Sequence, residues 1–318
     1  MGRILSRSQI KMKKGFLDIS FSWIFALIIG ATILFAAIYF VTQFSEVKNS
    51  QTSAESGTTF FNLLLPLETG IESGKSVRIK FPVKTRLNHI CETSGTFGRE
   101  GLSIQEFIKN KWTENGINIY SEDKYVFYPK LIEGKEFFSF SKSFEFPFKI
   151  ANLVYLTDAE KIYCFSGTPN EVKEELENFN NPNFKFENCQ SPDAVNVCFS
   201  SGDNCNIEVK MNAKEIVKEG KIVYFEGNSL MYAAIFSDEI IYECELQRLM
   251  KRGVQLTDLY KEKSLRLYNL SCQSDMTLEF SGLQNQFLNL EDSENLYYLR
   301  NSIEEISLMN RYSGCPLW

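Results

Sequence analysis

The 318-residue sequence predicts an α+β fold: an N-terminal transmembrane helix, then an ectodomain that is strand-rich first and helical last. Three observations carry this reading. No charged residue occurs from Ile19 to Ser45. From Val77 to Phe225, apolar and polar residues alternate in short runs, the period of half-buried strands. After Gly227 the apolar residues recur at helical spacing. The predicted segments are a basic leader over 1–18, the membrane helix over 19–45, and a stalk or helix extension over 46–70. A β-rich part follows over 71–227 and a helical part over 228–318.

The leader holds Arg3, Arg7, Lys11, Lys13 and Lys14 against the single acid Asp18, a net charge of +4. Removing those and the uncharged stretch from totals of 34 basic and 40 acidic residues leaves 29 and 39, or −10, for 46–318. An acidic exterior of this size argues against a nucleic-acid partner. From Trp23 to Val41 only Gly30 and Thr32 are not apolar. Nineteen residues at ~1.5 Å rise give roughly 28 Å of helix, close to the ~30 Å of bilayer hydrocarbon. Trp23 and Tyr39 sit near its two ends, where amphipathic rings favour the interface. Basic residues before the span stay on the cytoplasmic side, so the bulk of the chain is expected outside the cytoplasm. The lipid bilayer, through 19–45, is the expected partner, with other envelope proteins or further copies of the chain beside it.

Lys13-Lys14-Gly15-Phe16, a short polar step and a long apolar helix resemble a type IV pilin or archaeal class III signal. The resemblance implies cleavage between Gly15 and Phe16 and a helix that forms a filament core. The family usually carries Glu at the fifth mature position, where this chain has Ser20. Phe21-Ser22-Trp23-Ile24-Phe25-Ala26 and Met231-Tyr232-Ala233-Ala234-Ile235-Phe236-Ser237-Asp238 are similar to uncharacterised membrane-anchored envelope proteins of small-genome archaea. That likeness implies an envelope location and no particular activity.

Phe44, Val47, Gln51, Ala54, Thr58 and Phe61 fall at helical spacing, which favours continuation of the anchor helix until Pro66 and Gly70. Val77-Arg78-Ile79-Lys80-Phe81 alternates as a strand with one wet face. Phe137 to Ile150 alternates aromatics with polar residues, interrupted at Pro147. Thr168-Pro169-Asn170-Glu171 reads as a capping box with proline at the first helical position. Glu219-Gly220 before Lys221-Ile222-Val223-Tyr224-Phe225 reads as a hairpin turn. Ser237 is expected to cap a helix from Asp238 toward Tyr268, with Gly253 as its weak point. Leu296, Leu299, Ile303 and Ile306 form one apolar stripe of a last helix.

All eight cysteines lie beyond the span, consistent with an oxidising exterior. Cys198 and Cys205 flank a Ser/Gly/Asp/Asn run and look like rungs beside a hairpin loop, so they are the first expected disulfide; Cys272 with Cys315 is the second. Neither a zinc-type C-x₂₋₄-C nor a C-x-x-C redox spacing occurs. Gly70-Ile71-Glu72-Ser73-Gly74-Lys75-Ser76 has three residues between its glycines where a phosphate loop needs four. Gly95, Gly98 and Gly101 lack the first pair of a dinucleotide fingerprint and read as a mobile loop. His89-Ile90-Cys91 places an imidazole and a thiol on one strand face, but His89 is the sole histidine and no third group is evident. The sequence therefore predicts no catalytic residue, cofactor or metal. Its leading functional reading is a structural or binding role at the envelope. A pilin-like filament or secretion subunit is the alternative, and a membrane-tethered hydrolase the third.

Overall fold

The computed structural model describes residues 21–68, 74–113, 118–186, 189, 192–200, 204–270 and 275–318. Two compact units are present, 1–49 and 50–318. Helix α1 (Phe21–Glu68) begins in the first and ends in the second. Its window Trp23–Phe40 is long and apolar enough to cross a membrane by length and composition, and none of it is buried within the protein.

The second unit is a mixed α+β domain built on two sheets. The first contains β1 (Val77–Glu92), β2 (Arg99–Ile108), β3 (Lys111–Trp112), β4 (Ile119–Ser121), β5 (Val126–Phe127), β6 (Leu131–Glu145) and β7 (Lys149–Asp158). Its order is β3-β2-β1-β6-β7-β5, with β4 also on the outer side of β2. The pairs β1–β2, β1–β6 and β6–β7 are antiparallel; β1–β2 and β6–β7 are consecutive strands joined by short connections, whereas β2 to β5 lie between β1 and β6 in sequence. The aromatic run at Phe137–Ile150 is thus two strands, and the chain reverses at Phe146-Pro147-Phe148.

The second sheet contains β8 (Tyr163–Ser166), β9 (Phe184–Phe186), β10 (Val195–Cys198), β11 (Ile207–Lys210), β12 (Glu215–Lys218) and β13 (Lys221–Tyr224), in the order β13-β12-β11-β10-β8-β9. Helix α2 (Asn170–Asn178) is the crossover between the parallel strands β8 and β9. Pro169 is the residue before this helix, and no side chain caps it. The expected capping box is therefore absent: with Pro169 in that place, Thr168 stands one position too early and its hydroxyl is buried without a partner. The β12–β13 hairpin turns through Glu219 and Gly220, both at positive φ (53° and 76°), as a two-residue turn demands.

Among the described residues, four α-helices and a short 3₁₀ turn complete the domain. Helix α3 (Gly227–Phe236) is buried from Ser229 to Phe236, and α4 (Glu239–Asn269) follows after the reversal at Ser237 and Asp238. Ser237 ends α3, its hydroxyl donating to Ala233 O, and it does not cap α4; Asp238 precedes that helix without a capping bond. Gly253 is not a weak point. A Cβ there would lie 2.9 Å from the Phe287 ring, so the glycine lets α5 (Thr277–Leu288) close on α4. A short 3₁₀ turn leads to α6 (Leu296–Tyr312), whose buried residues include Leu296, Leu299 and Ile306 of the predicted stripe, with Ile303 packed beside them. One core lies under the helices and the second sheet; a smaller one joins Phe60, Leu64 and Leu67 of α1 to Ile79, Leu87, Leu102 and Phe137.

Candidate functional site

The predicted leader residues Gly15 and Phe16 lie outside the described residues. Cys198 and Cys205 form a disulfide with Cα atoms 5.8 Å apart. The strands they flank are not a hairpin. β10 and β11 run parallel, with Val197 level with Ile207, and the Asn196 backbone amide donates to the Asn206 side chain at 2.8 Å. Neighbouring strands, not the turn chemistry of the sequence, decide the direction of β11. Cys315 is disulfide-bonded, and Cys272, its expected partner, lies outside the described residues. Two further bonds, Cys91–Cys244 and Cys164–Cys189, span 153 and 25 residues. Cys91 therefore offers no thiol to His89.

His89 has a different set of neighbours. On β1, Leu87, His89 and Cys91 share the inward face, because alternate residues of a strand do. The register puts Cys91 opposite Glu100 of β2. Cys244 draws α4 to this face, bringing Glu245 and Arg248 with it. The side chains of His89, Glu100, Glu245 and Arg248 have no solvent exposure. The imidazole stacks on Tyr128 with ring centroids 4.1 Å apart. His89 Nδ1 lies 3.1 Å from Tyr128 O, a contact that requires Nδ1 to carry the donated proton. His89 Nε2 then presents a lone pair, 3.1 and 3.2 Å from the two oxygens of Glu100.

Arg248 Nη1 donates to both oxygens of Glu245, at 2.7 and 2.9 Å, and to Lys124 O at 2.9 Å. Its Nη2 donates to Glu122 O at 3.2 Å, and the guanidinium lies 4.9 Å from the Tyr125 ring centroid. The stem of Arg248 explains Gly98. At φ +63° a Cβ there would lie 2.8 Å from Arg248 Cγ and 2.5 Å from Glu92 O. The loop read as mobile is thus packed down, and Lys251 Nζ also donates to Gly95 O at 2.9 Å.

Burial sets the protonation. It pushes Glu100 up to about 8, opposed by a hydrogen bond with Glu245 and by the Arg248 charge. Burial also raises Glu245 well above the usual carboxylate range, with the Glu100 charge adding to it. His89 is lowered to about 4 by burial, so its ring is neutral near pH 7. His89, Glu100 and Glu245 offer donor atoms within 4.8 Å of one another, a set that could hold a metal ion. The positive charge this set calls for is already supplied by Arg248, 2.7 Å from Glu245 and 3.7 Å from Glu100. A divalent ion beside that guanidinium would leave a buried net positive charge, which is costly. One proton leaves none.

Glu100, Glu245 and Arg248 are not singled out by sequence reasoning. The signal was present: Glu245 and Arg248 fall on the stripe of α4 that also holds Ile241 and Leu249, where charged residues are out of place unless paired. A polar cleft of about 1510 Å³ opens where the two sheets meet and reaches His89 of this cluster; it is also lined by Lys130, Lys161, Lys218, Glu133 and Asp158. Burial raises Asp158 and lowers Lys218, whose Nζ is held by Ile235 O and Ser237 O. The chain matches no protein-family model, no curated protein and no solved structure.

Proposed function

We propose that this chain is a membrane-anchored extracytoplasmic protein with a structural or binding role at the cell envelope. Its leader stays in the cytoplasm and residues 46–318 lie outside. The observation that carries the reading is the window Trp23–Phe40: it is apolar on every side, with a mean hydropathy of 2.4, and none of it finds cover in the protein. Large apolar surfaces left open to water associate or aggregate, and a bilayer is the medium that removes this one from water while the helix satisfies its own backbone. The disulfides support the outward orientation, since such bonds persist in oxidising compartments. Protease added to intact cells is expected to degrade 46–318 and spare the leader; the opposite pattern would invert the topology.

A second reading, a pilin-like subunit of a surface filament or secretion apparatus, is favoured by the other end of the same helix. Phe60, Leu64 and Leu67, at steps of four and three, are buried in the smaller core, so α1 serves as a structural member of the second unit as well as carrying the apolar window. This agrees with the pilin-like leader, whose helix would bind further copies after cleavage. Native protein whose first residue is Phe16 would support this reading, and an uncut leader on the native protein would oppose it.

A further inference from the structure

We propose that His89, Glu100, Glu245 and Arg248 form a proton-operated latch that holds the first turns of α4 on the β1–β2 hairpin, closed while the two carboxyls share one proton and released when it leaves. The geometry demands that proton. With Nδ1 donating to Tyr128 O, His89 Nε2 and both Glu100 oxygens are acceptors facing one another at 3.1–3.2 Å. Two acceptors at that separation hold together only with a hydrogen between them. Charge leads to the same count. Arg248 brings one positive charge to two carboxyls with no solvent exposure, so a single added proton makes the group neutral, and its loss leaves one uncompensated buried charge.

The groups facing the imidazole come from every element packed on it. Glu100 lies on β2 and Tyr128 on the segment before β6. Glu245, Arg248 and the preceding Asp238 belong to α4 and its start. Asp238 and Glu245 favour the charged ring and Arg248 opposes it, while burial outweighs all three. The phenols of Tyr125 and Tyr128 are raised by burial and take no part near neutrality. The Cys91–Cys244 bond joins the same two elements beside Glu100 and Glu245, so release of the latch is local: α4 loosens but remains tethered.

The single histidine makes the test direct, because histidine-selective ¹⁵N labelling of the full chain in detergent micelles yields one imidazole. Between pH 6 and 7.5 the spectrum is expected to show a neutral ring, protonated at Nδ1 and hydrogen-bonded at Nε2. Above pH 8 the Nε2 signal should lose that hydrogen bond. Between pH 6.5 and 8 amide protection over residues 241–250 should fall about tenfold per pH unit beyond ordinary base catalysis, the slope of the one proton that the closed state holds and opening releases, and it should level off above pH 8. The Glu100→Gln variant, whose amide can still donate to Nε2, should abolish that fall. A charged imidazole at neutral pH, protection without the added slope, or a fall that survives in E100Q would each overturn the proposal. Should E100Q not fold, the titration of the unaltered chain decides alone.

Discussion

Two helices of this protein are apolar on all sides, and they have opposite surroundings. In α3, Leu230 to Phe236 are wholly buried between the sheets and the other helices. In α1, none of the window Trp23–Phe40 is buried. Composition alone does not separate them; length and neighbours do. Ten residues of α3 rise only ~15 Å, half a bilayer, and β5, β6, β7, β12 and α4 supply the faces that cover them. The α1 window has the length for a bilayer and no such faces. The contrast teaches that an all-apolar helix is a demand for cover, and that cover comes from the fold or from lipid.

The largest expected effect keeps the two regions apart. Removing Cys91–Cys244 as the Ser/Ser pair should cost the second unit about 5 kcal/mol by the chain-entropy relation, against ~2 kcal/mol for the small Cys198–Cys205 loop. Denaturant unfolding should rank them in that order while membrane retention stays unchanged; equal losses would break the separation. Next come paired substitutions in the two helices. Leu230→Ala should cost ~2–5 kcal/mol of unfolding free energy and leave membrane association intact. Ile33→Arg, near the middle of the window, should oppose insertion by about 3 kcal/mol and leave the unfolding of the second unit unchanged.

The pH dependence is smaller. Glu100 is raised to about 8 in the folded protein from an ordinary 4.5, so its contribution to stability is complete below pH 4.5 and is lost as pH rises through 8. His89, lowered to about 4 from 6.5, works the other way and adds stability as pH rises from 4 to 6.5. The two slopes oppose each other up to pH 6.5. Beyond that His89 no longer opposes the raised carboxyls, and stability should fall with pH, Glu100 contributing ~1.4 kcal/mol per pH unit, about 2 kcal/mol by pH 8. Denaturant midpoints across this range check it. Smallest is Gly253→Ala. The new Cβ gains ~1 kcal/mol of helix propensity but meets the Phe287 ring at 2.9 Å, which costs ~1–3 kcal/mol, so a net loss of about 1 kcal/mol is expected in thermal unfolding.

Much of the fold is legible in the sequence where one local signal suffices. The alternation at Val77–Phe81, the Glu219-Gly220 turn and the Leu296–Ile306 stripe each declare their element, because period and turn chemistry are properties of a few adjacent residues. Sequence and structure part where a distant partner decides. Residues 199–206 have turn chemistry whether the next strand runs parallel or antiparallel, and only the pairing of β10 with β8 and β11 settles it. Gly253 and Gly98 look like weak or mobile points until Phe287 and Arg248 are seen against them. The buried cluster was hidden for the same reason. Glu245 and Arg248 read as solvated charges on a long helix until the Cys91–Cys244 bond and the β1–β2 register bring His89 and Glu100 against them.

The claim on which the account turns is that lipid covers the α1 window. Alkaline carbonate extraction of membranes from cells expressing the full chain tests it most directly. The account predicts that the unaltered protein stays in the membrane pellet and that Ile33→Arg moves to the supernatant. Recovery of the unaltered protein in the supernatant would contradict it.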